Sequence, residues 1–152
     1  MPVRTIRGKG LDALEALDQL GKSEAVVGFL ANRHNKANVP VAQLAFIHEF
    51  GSPARNIPAR PFFFPGLRNA RPRLAAIAKA YALRVSAGER GAIKAGLEAL
   101  GNEAVVSIRR KLLRGPFVPL KPETIRRKGS SKPLVDTGEM LASIEYRVRR
   151  AT

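Results

Sequence analysis

Few side chains in this sequence could carry chemistry, and their spacing excludes most reactions. Its two histidines, His34 and His48, are far apart in the chain. His48-Glu49-Phe50 has the glutamate of a zinc-protease helix but not the second histidine that such a site needs four residues on. With no cysteine anywhere, thiol catalysis, thiolate metal sites and disulfides are excluded together. The sequence has no Gly-Lys-Ser/Thr phosphate loop and no Gly-x-Ser-x-Gly elbow. Asp136 and Glu139 have the spacing of a helix capping box, which explains that carboxylate pair without catalysis. No catalytic residue, cofactor or metal ligand is assigned, and the expectation is a protein that is not an enzyme.

The chemistry that remains is electrostatic. Lys and Arg number 27 against 12 Asp and Glu, a net charge of +15, which favours polyanions or the acidic face of a protein partner. The excess is concentrated in Arg109, Arg110, Lys111, Arg114, Lys121, Arg126, Arg127, Lys128 and Lys132. Against these nine bases the segment has one acid, Glu123, so it carries 9 − 1 = +8. These are the candidate contacts to an acidic partner or to double-stranded DNA. Only Phe117 interleaves with them, which argues against stacking on single strands. No recognition helix or zinc finger is present, so any DNA contact is expected to be non-specific and salt-dependent.

Positioning these groups falls to two proline-broken connectors, residues 52–65 and 114–122, and a basic loop at 128–133. The first connector follows Glu49-Phe50-Gly51 and carries Phe62, Phe63 and Phe64 between Pro61 and Pro65. Proline fixes φ and removes a donor, so an extended rigid segment is expected. Each Phe has about 150–250 Å² to bury. Alternation along an extended chain puts Phe62 and Phe64 on one side and Phe63 on the other. The candidate subunit-interface residues are therefore Phe62, Phe63, Phe64 and Phe117, together with Arg60. Arg60 also suits a hydrogen-bond clamp on nearby carbonyls or a carboxylate.

Around the connectors, Val3–Ile6 reads as a strand, Leu11–Leu20 as an amphipathic helix closed by Gly21, and Ala25–Leu30 as a strand from the middle of a sheet. A polar loop follows. Asn38 and Pro40 are placed to open a helix through Val41, Leu44 and Ala45 that Gly51 ends. One long helix is expected from near Pro65, kinked or restarted at Pro72, and another over about 89–113. Gly91, Gly96 and Gly101 in the second would admit a neighbouring backbone. A short helix at Pro122–Arg127 comes before the loop. Asp136-Thr137-Gly138 should cap another short helix beginning at Thr137, and Ile144–Arg149 alternates as a strand. The fold class expected is α+β: a small mixed or antiparallel sheet with two long helices and several short ones, in one domain over 1–152. No apolar run approaches the ~18 residues of a membrane span and no signal-peptide pattern opens the chain, so a soluble protein with no membrane partner is expected.

Two blocks carry a family resemblance. The first is Glu49-Phe50-Gly51 followed by Ile57-Pro58-Ala59-Arg60-Pro61-Phe62. The second is Lys128-Gly129-Ser130-Ser131-Lys132-Pro133-Leu134-Val135-Asp136-Thr137-Gly138, with Ser143-Ile144-Glu145-Tyr146 beyond it. Their order over roughly Val26 to Val148 resembles the neck and tail-completion proteins of tailed bacteriophages, which are also described as virion morphogenesis or head–tail joining proteins. The resemblance implies a non-catalytic virion protein, assembled in the host cytoplasm. It would form a ring of its own copies, expected to be six-fold, between connector or adaptor proteins and the tail tube. A non-specific basic DNA-binding protein is the alternative that the charge suggests.

Overall fold

The computed structural model describes residues 18–31, 33–35, 38–89, 91–129, 131, 134 and 138–151, without the side chains of Arg127 and Lys128. The expected strand at Val3–Ile6 and most of the expected first helix lie outside these residues. So do Lys132, Asp136 and Thr137 and half of the basic loop. The elements in chain order are β1 (Ser23–Gly28), α1 (Val41–Phe50), a 3-10 turn (Pro53–Arg55), α2 (Phe63–Ser86), α3 (Ala92–Arg114), α4 (Pro122–Lys128), α5 (Glu139–Ala142) and β2 (Glu145–Arg150). The fold is α+β, with two long helices, several short ones and a two-stranded antiparallel sheet.

In the sheet, Val27 faces Tyr146 and Ala25 faces Val148. β1 is therefore not a central strand among the described residues, although its run of apolar residues suggested one. The run arises because both strands pack against α3. Gly101 of α3 makes that packing possible. A Cβ there would overlap the Tyr146 ring, and Gly96 serves Tyr81 of α2 in the same way. These glycines seat tyrosines and do not admit a neighbouring helix backbone. The backbone approach falls instead at Gly66 of α2, where a Cβ would stand 2.8 Å from the Ile108 Cα. Gly91 lies outside α3 and precedes it at φ 78°.

The contacts Gly66–Ile108, Arg73–Glu103 and Tyr81–Gly96 run in opposite directions along α2 and α3, which makes the pair an antiparallel hairpin. α2 starts two residues before Pro65 and continues through Pro72 without a restart. Pro72 removes the donor to the Arg68 carbonyl, but it does so on an exposed face where water can take that place. Asn38 does not cap α1; Pro40 takes that position with no side-chain cap.

The core gathers at the base of the hairpin. Phe62, Ile108, Leu112, Ile144 and Val41 are essentially inaccessible, and Ala45, Val105, Leu134 and Met140 pack with them. Burying a Phe or Ile side chain contributes about 1.5–3 kcal/mol, so this cluster holds α1, α5 and the start of β2 to the long helices. Farther out, Leu74, Ile77, Ile93, Leu97 and Leu100 are only half-buried, because two helices cannot enclose a seam on every side.

Candidate functional site

Along α1, every fourth residue is buried: Val41, Ala45 and then Glu49. The third member of this stripe is a carboxylate only 7% exposed. A carboxylate removed from water must be hydrogen-bonded, or its burial is prohibitive. Glu49 accepts the N–H groups of Phe62 (2.7 Å) and Phe63 (2.8 Å) at Oε2 and that of Phe64 (3.1 Å) at Oε1. These residues are the N-cap and first two positions of α2. The third position is Pro65, which has no N–H, and the Gly66 N–H begins the helical ladder by donating to the Phe62 carbonyl at 3.0 Å. One carboxylate from another helix thus satisfies every orphan amide at this terminus. It also lies at the positive end of the α2 dipole.

The return path from α1 to α2 explains the rest of the motif. Gly51 turns the chain at φ 78°, and a Cβ there would fall 2.8 Å from the Ala59 nitrogen. The Arg60 N–H then donates to the His48 carbonyl at 2.7 Å. The Arg60 side chain, 6% exposed, donates from Nε to the Val118 carbonyl (2.8 Å) and from Nη2 to that of Pro119 (3.2 Å). Desolvation by burial pulls its pKa below the usual arginine value. Arg60 is therefore the carbonyl clamp that fits its setting, and it straps connector 52–65 to connector 114–122.

These contacts correct the list of interface candidates. Arg60 and Phe62 are buried within the chain and present nothing to a neighbour. Phe62 and Phe64 do not share a side, because the helix begins at Phe63 and the residues fan out by about 100° per step, not 180°. Phe62 enters the core, Phe63 is half-buried, and Phe64 is 55% exposed. Phe117 is half-buried against the core, with Lys111 Nζ 5.7 Å from its ring centroid.

Phe64 has exposed company that the sequence reading missed. Its ring lies 6.2 Å from that of Phe50, which lies 4.7 Å from Phe46. Phe46 is 64% exposed and Phe50 55%. This surface cluster is anchored inward through Phe63, 5.7 Å from Phe64, and Phe29, 6.4 Å from Phe63. The signal was present in the sequence: Phe46 and Phe50 are four apart on a helix whose buried stripe runs through other positions.

The basic set also divides. Arg109 turns inward and donates from Nη2 to the Ile144 carbonyl at 2.9 Å, so it is corrected from a partner contact to an internal tie. Arg110, Lys111 and Arg114 converge on an open depression of about 280 Å³, with Asn69 and Arg73 of α2 opposite and Ser107 beside them. Lys121 and Arg126 are exposed at α4 and do not line that depression. Gly138 stands at φ 77° before α5, which starts at Glu139. No helix among the described residues is long and apolar enough to cross a membrane. Comparison of the chain with protein-family models, curated proteins and solved structures gave no match.

Proposed function

We propose that this chain is a structural, non-catalytic protein of a tailed-phage virion. It assembles as a ring of its own copies at the head–tail junction or the head-proximal end of the tail, between connector or adaptor proteins and the tail tube. The observation that supports this reading is the Phe46–Phe50–Phe64 cluster, in which three large aromatic side chains are more than half exposed in contact with one another. Aromatic residues concentrated in this way are characteristic of the centre of protein–protein contacts. Glu49 fixes the backbone beneath Phe64, so docking costs little ordering entropy. The two-block resemblance supplies the phage setting.

A head-to-tail contact between copies closes into a ring when its rotation closes. Copies carrying +15 each repel one another, and screening weakens that repulsion as salt rises. Light scattering on the purified chain should therefore show a discrete oligomer whose fraction grows with salt. Phe46→Ser combined with Phe50→Ser should return it to monomer with the fold intact by circular dichroism. An oligomer unaffected by both substitutions would place the contact on another surface.

A further inference from the structure

The depression between α2 and α3 has a chemistry of its own. Arg73 is committed to its wall: it is ion-paired with Glu103 and donates from Nη2 to Ser107 Oγ at 2.9 Å. Ser107 in turn donates to Glu103 at 2.8 Å. The nearest acid is thereby held by Arg73, chiefly, and by Ser107. Arg110, Lys111 and Arg114 have no ion pair among the described residues. Three cations therefore face one concavity without an ion pair, beside the amide of Asn69, and Arg110 alone acts on Glu103 through a weaker Coulomb attraction. Arg110 and Arg114 are one turn apart on α3, about 6 Å along its axis.

We infer that this depression binds the phosphodiester backbone of double-stranded nucleic acid, with Arg110, Lys111 and Arg114 as its phosphate contacts. The chemistry favours phosphate over an acidic peptide. Apart from Pro116, the lining offers no apolar side chain to anchor a peptide. It favours a duplex over a single strand because no ring is presented for base stacking. Phe117, the nearby aromatic, is half-buried and has Lys111 over it. The inference is independent of ring assembly, since the site lies within one copy.

The test is anisotropy of a short labelled DNA duplex of mixed sequence, titrated with the full chain at several salt concentrations. Three phosphate contacts give a log–log salt slope of about −2.7, which is roughly a 40-fold loss of affinity between 50 and 200 mM. Replacing Arg110, Lys111 and Arg114 together by Gln should remove that portion of the slope. Arg110→Gln with Arg114→Gln alone, which spares the Lys111–Phe117 contact, should remove about two thirds of it. Lys121→Gln with Arg126→Gln should leave the slope nearly unchanged. Light scattering at the same salt concentrations reads assembly separately, so a monomeric chain with the expected slopes would fail the ring reading and keep this one. An unchanged slope in the triple variant, an equal loss in the Lys121/Arg126 variant, or capture of polyglutamate without duplex binding would each overturn it.

Discussion

Glu49 shows how one residue can organise a junction that the sequence displays only as a motif. The three backbone N–H groups that donate to its carboxylate find there the acceptors that water would otherwise supply at a largely buried terminus. Glu49→Ala would leave those amides unsatisfied and should cost about 3 kcal/mol, roughly 6–12 °C in Tm. Glu49→Gln keeps one acceptor oxygen and should cost about half as much, as chemical denaturation can measure. Arg60 makes a parallel case. Lys can reach one carbonyl but cannot match the fork that holds both Val118 and Pro119, so Arg60→Lys should destabilise by about 1–2 kcal/mol. The clamp role of Arg60 was legible in its setting between prolines. The role of Glu49 was not: periodicity assigns apolar residues to a buried stripe, and here a carboxylate completes it. The Phe62–Phe64 pairing failed for a related reason, since the carboxylate starts the helix two residues before Pro65.

At the scale of elements, the hairpin depends on glycines and on one polar cluster. Gly101→Ala would drive a methyl into Tyr146 and push β2 off α3, and overpacking of this kind costs about 1–3 kcal/mol. The Arg73 hydrogen bond, with help from Ser107, holds the Glu103 carboxyl below the usual carboxylate range. A folded value below the unfolded one contributes stability that is complete above about pH 4.3 and is lost as pH falls through the folded value. Glu103→Gln should therefore lower Tm at neutral pH and flatten its decline below about pH 4.3, which a pH series of thermal melts would show. The two long helices and the β2 alternation were legible because their periods are long and clean. The close approach at Gly66 was not, because a glycine beside a proline reads as a turn until its partner Ile108 is known.

For the whole molecule, charge and exposed aromatics pull in different directions. The acids of the described surface are largely paired: Asp18 with Lys22, Glu24 with Arg149, Glu89 with Arg84, Glu98 with Lys94 and Glu145 with Arg147. What remains is a basic shell on a chain that also exposes an apolar cluster. Composition revealed the shell, but sequence order misjudged its grouping. Residues 109–126 run through a half-buried tie, a three-cation depression and an exposed short helix, and only the fold separates them. A shell of this kind discourages contact between copies until it is screened, and in the proposed assembly the cluster would supply the contact once that repulsion is relieved. The most direct measurement of the proposed role is electron microscopy of phage particles assembled with and without this protein. Particles lacking it should separate into heads and tails, or carry tails with abnormal head-proximal ends, and the intact neck should contain a ring with Phe46, Phe50 and Phe64 at its subunit contacts. Normal, infectious particles assembled without the protein would contradict it.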